Sequence, residues 1–451
     1  MITINSILNR INFKATNRSS LLPKSGIFHF DFQEKGERSR VHLRIDPDNS
    51  GLLIVNASKI VHLNPTAVVM AYLILQNTNR DKAIQILTKT FDVSAVKVSN
   101  DYTQIADQLQ ELIKPDGACP IHDLNLELIP PFSSKPSAPY RMDLAITYRC
   151  NNDCSHCYNA RSRDYPELST KNWFRILDQL WDIGIPHVVF TGGEPTLRDD
   201  LPDLITHAEH NGQITGINTN GRRLSDRHYV DTLVNAGLDH VQITLESHSP
   251  DIHDAMVNSR GAWKQTISGI QNALETSLYV MTNTTMLSNN SPFLKQTLEF
   301  LASIGVPTIG LNALIYSGRG LSVNTGIDES DLTALLNIAR VIISEHNQRL
   351  IWYTPTQYCN FDPMQLELGV KGCTAAMYNM CIEPNGDVIP CQSYYQTLGN
   401  ILTRPWTSIW NHDLSISLRE RKYIPDKCLV CSLVTECGGG CPLVMNTKGN
   451  N

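Results

Sequence analysis

No stretch of this 451-residue chain approaches the roughly 20 consecutive apolar residues that a membrane helix needs. The first ten residues, Met1 to Arg10, lack a basic segment followed by a long apolar core, so no signal peptide is expected. Charge of one sign is also scarce. Lys and Arg number 38 against 44 Asp and Glu, a net charge of −6, which gives no basis for a large nucleic-acid footprint. Neither a membrane nor a nucleic acid is therefore expected as a partner, and the expected location is the cytoplasm. Cysteine, in contrast, is plentiful. Of twelve cysteines, ten fall into two tight groups, while Cys119 and Cys359 stand apart. A cytosolic chain rarely commits so many clustered thiols to disulfides, so metal or redox centres are expected.

The first group is Cys150-Asn-Asn-Asp-Cys154-Ser-His-Cys157, directly after the apolar run Leu144–Tyr148. A strand ending there would deliver three thiols onto one loop. Three thiolates can hold three irons of a [4Fe–4S] cube and leave the fourth iron open for chemistry. A zinc knuckle or a simple ferredoxin-type site would need a fourth local ligand. His156 is the nearest donor, but it is cramped between two of the cysteines.

The length suggests two to three domains. Residues 1 to about 25 look irregular. Phe28, Phe30 and Phe32 then alternate, as do Val41, Leu43 and Ile45, and Gly51-Leu-Leu-Ile-Val55 follows a turn. This predicts a small antiparallel sheet of about three strands. Asn64-Pro65 marks a helix start, with a capping side chain and then proline at the first helical position. Helices are expected over Thr66–Gln76, about Arg80–Phe91 and about Asn100–Ile113. The last has Ile105, Leu109, Leu112 and Ile113 on one face. It carries no Lys or Arg, which argues against a DNA-reading helix.

This winged-helix-like α+β order, with the Gly51–Ala57 strand, the Leu63-Asn-Pro-Thr-Ala67 helix entry and the phased third helix, resembles the peptide-recognition domain of ribosomal-peptide maturases. That domain is the PqqD-like RiPP recognition element. The resemblance implies a groove between the third strand and third helix in which a leader peptide lies as an added strand. A Pro-rich linker, residues 115–140, follows and contains Cys119, read as an incidental free thiol.

From Met142 onward, short apolar strands alternate with amphipathic helices. The strands are about Leu144–Tyr148, His187–Thr191, Gln213–Thr219, His240–Leu245, Leu278–Met286 and Thr308–Leu314. Six such units predict a parallel sheet with helices outside, closing as a partial barrel with function at the C-terminal strand ends. Thr191-Gly-Gly-Glu-Pro-Thr196 lies at one of those ends. Its glycines would let backbone approach a ligand, and Glu194 offers an acceptor for an ammonium group.

Cys150-x3-Cys154-x2-Cys157 together with Gly192-Gly193-Glu194-Pro195 resembles the radical S-adenosylmethionine (SAM) superfamily, over about residues 140–320. The resemblance implies a partial (β/α)6 barrel over residues 141–355. Cys150, Cys154 and Cys157 would hold a [4Fe–4S] cluster whose open iron chelates SAM. An electron then splits the sulfonium, and a 5′-deoxyadenosyl radical abstracts a substrate hydrogen. Gly192, Gly193, Glu194 and Pro195 would meet the methionine amino group, with Asn218 and Thr244 as further SAM contacts. Where the family shows His-Asp-x-x-Arg, this chain has Val257 in the arginine's place, with Arg260 three residues on. Asn312, Tyr316 and Arg319 are candidates for a hydrogen donor or base. A reductant such as flavodoxin or ferredoxin is implied as a partner.

Glu329–Asn347 reads as the last barrel helix. Beyond Arg349–Tyr353 the second cysteine group begins. Cys428-x2-Cys431-x5-Cys437-x3-Cys441 alone would suit a zinc ribbon equally well. With Cys373-x12-Gly386-x4-Cys391 before it, the region resembles the SPASM extension, here residues 356–451, which holds one or two auxiliary iron–sulfur clusters. By that pattern Cys373, Cys381, Cys391 and Cys441 would hold the first. Cys428, Cys431 and Cys437 would hold three corners of the second. Pro442 to Asn451 contains no cysteine, so the fourth corner is expected to be an open iron, a non-Cys ligand or a partner such as Cys359; alternatively the cluster does not form.

The whole predicts an enzyme that modifies a ribosomal precursor peptide. The leader would bind residues 1–114, and the product would be a thioether, a crosslink or an epimerised residue. The alternatives are a maturase of a folded enzyme, of sulfatase or dehydrogenase type, an enzyme acting on a cofactor precursor, and a non-catalytic iron–sulfur protein.

Overall fold

The structure, a computed structural model, describes residues 23–34, 37–56, 59–113 and 136–448. Cys119 and most of the 115–140 linker lie outside the described residues. The chain divides into two compact units, Met1–Ser137 with Leu180–Pro186, and Ala138–Gln179 with His187–Asn451.

The first unit holds a four-stranded antiparallel sheet in the order β1-β2-β3-β4, made of β1 (Gly26–Glu34), β2 (Glu37–Ile45), β3 (Gly51–Val55) and β4 (Lys59–Leu63). The predicted three strands are the first three of these. The fourth was hidden because it runs almost directly into a helix cap. β3 is therefore paired on both sides and cannot take the added strand expected there, and β4 is the sheet edge beside the helices. Lys59 Nζ donates to the Leu112 carbonyl at 3.1 Å.

Three helices follow, α1 (Pro65–Leu75), α2 (Arg80–Thr90) and α3 (Ala95–Ile113). Asn64 caps α1 as predicted, its Oδ1 accepting from Ala67 N at 2.9 Å. α3 begins five residues before its expected start, because Val98 adds a buried turn to the stripe of Tyr102, Ile105, Leu109 and Leu112. One continuous core joins Val41, Leu43, Leu53 and Val55 of the sheet to Met70, Leu87 and Leu109 of the three helices.

The second unit is α/β. Seven strands run parallel: β5 (Arg141–Thr147), β6 (His187–Gly192), β7 (Ile214–Thr219), β8 (His240–Thr244), β9 (Tyr279–Thr285), β10 (Thr308–Asn312) and β11 (Arg349–Trp352). Six are those predicted, and β11 adds a seventh against β10. Its four residues are too few to show a periodicity. Between the strands run α4 (Thr170–Ile183), α5 (Leu201–Asn211), α6 (Arg227–Asn235), α7 (Pro250–Val257), α8 (Ala262–Leu274), α9 (Leu294–Ser303) and α10 (Glu329–Glu345). Ser169 Oγ accepts from Asn172 N at the start of α4, and Trp173, Ile176 and Leu177 bury its inner face.

The C-terminal cysteine region does not form a separate sheet. β12 (Asn379–Ile382) pairs parallel with β5 and continues antiparallel into β13 (Asp387–Ile389) and β14 (Gly399–Asn400). The ten strands lie in the order β11-β10-β9-β8-β7-β6-β5-β12-β13-β14. β5, which feeds the first cysteine loop, is thus central, and the loop opens at the strand ends where βα units place their sites. No described helix is long and apolar enough to cross a membrane.

Candidate functional site

The loop Cys150–Cys157 leaves the C-terminal end of β5 and is fastened on every side through its backbone. Asp153 N donates to the Val257 carbonyl at 2.9 Å, and Ser155 N to Met256 at 3.0 Å, so the end of α7 forms one wall. Three arginines grip the loop carbonyls. Arg163 donates to Cys150 O at 2.9 Å and Asn152 O at 2.6 Å. Arg222 donates to the carbonyl of Asn151 and to Asn152 Oδ1. Arg319 donates to Asp153 O at 2.9 Å and Cys154 O at 3.0 Å, while its own N–H meets Cys157 O. The sequence offered no signal for Arg163 or Arg222, since their partners are 11 and 70 residues away. Arg319, expected as a possible chemical participant, is spent on holding the loop.

The three thiols are free and near one another. Burial pushes Cys150 up to about 11, helped by the Glu194 carboxylate and by Cys157. Burial also raises Cys154, with Cys157, Glu246 and Cys150 adding to it. Asn152 N–H donates to Cys150 Sγ at 3.4 Å. Soft sulfur donors crowded on one loop, costly to ionise unless a cation joins them, fit an iron–sulfur cluster. Among the described residues no group of three His, Cys, Asp or Glu stands as a ready single-ion site. A cube, which each cysteine meets at a different corner, asks for wider spacing than one zinc ion with sulfur at about 2.3 Å.

His156 is held by a carboxylate. Its Nε2 lies 2.9 Å from Glu246 Oε1, and Glu246 Oε2 accepts from Thr285 N at 2.9 Å. Burial works against a charged imidazole here, but the Glu246 carboxylate outweighs it, so His156 titrates above the ordinary range. The buried Glu246 carboxylate thereby links the cysteine loop to the ends of β8 and β9.

The Gly192–Pro195 turn is zipped onto the end of β5. Gly193 N donates to Thr147 O and Glu194 N to Arg149 O, both at 2.8 Å. A Cβ on Gly192 would sit 1.9 Å from Thr147 O, at a φ of +133°. The glycines thus allow the turn to lie on the strand that carries the cysteines. Glu194 is fully buried, and its carboxylate already has partners within the chain. Oε1 accepts from the Thr219 hydroxyl at 2.6 Å and the Thr196 hydroxyl at 2.7 Å, and Oε2 from Asn220 N at 2.8 Å. The side chain therefore ties β6 to the end of β7.

Asn218 and Thr244 lie in β7 and at the end of β8, both partly exposed at the same rim. Arg260 is exposed, and Val257 is buried with its carbonyl on the cysteine loop. Asn312 is buried at the end of β10, with Nδ2 on Ala313 O. Tyr316 packs on Met256, Leu287 and Leu314.

In the C-terminal region, burial raises Cys373, and Cys441 and Cys391 raise it further. Cys391 is pushed up to about 12 by burial and by Cys441. Backbone N–H donors just downstream work in the opposite sense and lower each of these thiols: Ala375 at Cys373, Ser393 and Tyr394 at Cys391, Leu443 and Val444 at Cys441. Such donors favour thiolate and suit cluster ligands. Cys381 has different surroundings. It lies in β12 opposite Asp143, within an apolar cluster of Ala145, Tyr148 and Ile389. Cys428 is raised by burial and by the thiols of Cys437, Cys359 and Cys431. Gly438, Gly439 and Gly440, with φ of +59°, +81° and +80°, let the chain turn sharply between Cys437 and Cys441.

Comparison with known proteins adds three findings. The Radical SAM superfamily matches residues 144–312, and the SPASM iron–sulfur cluster-binding domain matches residues 373–432. Among curated proteins, the chain is similar to the Fe-coproporphyrin III synthase of Methanosarcina barkeri, 27% identical over 65% of this chain and 81% of that protein. It is also similar to the AdoMet-dependent heme synthase of the same organism, 25% identical over 67% of this chain and 91% of that protein. Among solved structures, Streptococcus suis SuiB bound to precursor peptide SuiA shares the fold with a TM-score of 0.68, at 18% identity, over 94% of this chain and 98% of SuiB.

Proposed function

We propose that this chain, which carries a radical SAM domain and a SPASM domain, is an enzyme that modifies a ribosomally made precursor peptide. Its cofactors are a [4Fe–4S] cluster with SAM, and auxiliary iron–sulfur clusters. When bound, the cluster and SAM supply a 5′-deoxyadenosyl radical able to take a hydrogen from an unactivated carbon. Cys150, Cys154 and Cys157 hold the cluster. Arg163, Arg222 and Arg319 keep the loop backbone fixed around it. The Gly192–Pro195 turn, with Asn218 and Thr244 on the neighbouring strand ends, receives SAM. Because the Glu194 carboxylate is committed to Thr196, Thr219 and Asn220, the backbone of the turn is the part left for the methionine ammonium group. In this reading the parallel sheet curves as a partial barrel around the substrate over residues 141–355, and residues 356–451 carry the auxiliary clusters.

The observation that carries the peptide reading is the extent of the SuiB likeness. It spans 94% of this chain and 98% of SuiB. So extensive a likeness takes in the N-terminal unit, whose winged-helix-like order and β4 edge beside α3 suit an added peptide strand. A leader would thus bind residues 1–114, with the 115–140 linker passing to the catalytic part. A small low-potential protein such as flavodoxin or ferredoxin would supply electrons.

A second reading is kept because the two curated relatives are named for porphyrin chemistry: an enzyme acting on a cofactor precursor. One experiment separates the two. Anaerobically reconstituted protein with dithionite and SAM is offered either precursor peptides encoded beside the gene or Fe-coproporphyrin III. The peptide reading expects a peptide mass change coupled to 5′-deoxyadenosine, and loss of leader affinity when residues 1–114 are removed. Turnover of the porphyrin with every peptide inert would overturn it.

A further inference from the structure

Cys359 is isolated in sequence, yet the fold carries it to the second auxiliary group. It sits on the turn Gln357–Phe361, closed by Asn360 N and Phe361 N donating to Gln357 O at 2.8 and 2.9 Å. The turn is pinned from two sides. Glu329 Oε2 at the start of α10 accepts from Gln357 N at 3.3 Å and Asn360 Nδ2 at 3.1 Å. The ring of Tyr358 is buried, and its hydroxyl accepts from Lys371 N at 2.9 Å. The same segment lies directly against the cysteine run. Tyr358 N donates to Cys437 Sγ at 3.4 Å, and Cys437 Sγ lies 3.8 Å from Thr356 O. A Cβ on Gly440 would come within 3.2 Å of Gln357 N and Thr356 C, an approach only glycine tolerates well. Cys359 itself is exposed at the tip, one residue beyond the Tyr358 N–H that meets Cys437 Sγ.

We propose that Cys359 is the fourth thiolate ligand of the second auxiliary cluster, completing the set Cys428, Cys431 and Cys437. The inference rests on the iron–sulfur reading of the SPASM region. Its chemical content is that this cluster has no open iron. Four thiolates occupy the four corners of a cube, so no substrate thiolate or SAM group binds there. The pinned turn explains why a ligand so far upstream serves. Its position is set by α10 and the Tyr358 anchor rather than by the cysteine run.

The test uses the full chain with Cys150, Cys154 and Cys157 all changed to Ala, so that only auxiliary clusters contribute. Reconstituted anaerobically, this parent should hold about eight irons. Iron, sulfide and dithionite-reduced EPR spectra are then compared after adding Cys359→Ala or Cys428→Ala. Both changes should alter the same one of two EPR signals. The Cys359→Ala cluster, now open, should take up 2-mercaptoethanol with a further shift of that signal, whereas the parent should not. Cys359 lies on an exposed turn tip, so the substitution should leave the other signal, and thus the fold, intact. A Cys359→Ala spectrum identical to the parent, beside an altered Cys428→Ala spectrum, overturns the assignment. So does a parent that already binds the added thiol. If Cys428→Ala also changes neither iron nor spectrum, no cluster stands on these cysteines and the iron–sulfur reading of this group falls with the inference.

Discussion

Arg161 donates through Nε and Nη2 to both oxygens of Glu383, at 2.6 and 2.8 Å. Arg161 lies four residues beyond the first cysteine loop. Glu383 follows β12 in the C-terminal region and also accepts from the Tyr148 hydroxyl at 3.2 Å. The bidentate pair therefore joins the loop that would hold the first cluster to the strand that leads toward the auxiliary clusters.

The pair is asymmetric, and that predicts an order of damage. The Glu383 side chain is 0% exposed and that of Arg161 29%. Arg161→Ala strands a buried carboxylate and should cost about 3–5 kcal/mol. Glu383→Gln leaves an arginine that can still reach water and should cost only about 1–2 kcal/mol. Denaturant unfolding of both variants checks the order, and equal losses would show that the carboxylate is not the vulnerable partner.

Arg319→Ala removes donors from the carbonyls of Asp153 and Cys154 without touching a thiol. The expected outcome is faster loss of the first cluster on exposure to chelator. Turnover per remaining cluster should be within about twofold of wild type, because the residue positions the loop and moves no proton. A selective loss of turnover with the cluster intact would restore it as a chemical participant.

Gly192→Ala places a methyl group against Thr147 O at a positive φ. The combined clash and backbone strain should cost on the order of 3 kcal/mol. The turn would lift from β5, and SAM affinity measured by equilibrium dialysis should drop at least about tenfold. By the affinity scale this is about 1.4 kcal/mol of binding.

His187 and His240 face each other, Nε2 to Nε2, at 2.8 Å, so one ring donates and the other accepts. Burial, aided by the Arg141 charge, lowers His240 to about 3. The unfolded chain takes a proton there below about pH 6.5 and the folded chain does not. The stability from this group is thus complete above 6.5 and is lost as pH falls toward 3, by up to about 1.4 kcal/mol per pH unit. Comparing unfolding midpoints at pH 7.5 and 5.5, His240→Asn should lose less than wild type. An equal loss would mean that His240 is not the group that titrates.

Changing any one of Cys150, Cys154 or Cys157 to Ala should abolish 5′-deoxyadenosine formation and remove about four irons, leaving the auxiliary iron in place. The paired readout matters, because loss of all iron would report a collapsed fold rather than an emptied site.

Much of this protein was legible before folding because the signals were local. The alternation in β5 to β10, the Asn64 cap and the C-x3-C-x2-C spacing are properties of neighbouring residues, and short-range sterics and hydrogen bonds act on them directly. β11 escaped because four residues carry no readable period, and β4 because it runs almost directly into the Asn64 cap. Their strand character comes from pairing with β3 and β10. Glu194 was read as a ligand acceptor, because spacing cannot show that Thr219 and Asn220 already occupy its oxygens.

The sequence by itself determined which chemistry is available: soft thiolates in two groups, a glycine turn after the second strand of the parallel sheet, and an N-terminal unit with its own core. Only the tertiary structure decided which residues share a site. Arg222 meets Asn152 across 70 positions, and Tyr358 meets Cys437 across 79. Such partners are set by how strands and helices stack, a long-range property that no local period encodes. That stacking also sets Cys359, isolated in sequence, next to the anchored Tyr358 whose N–H meets Cys437 Sγ.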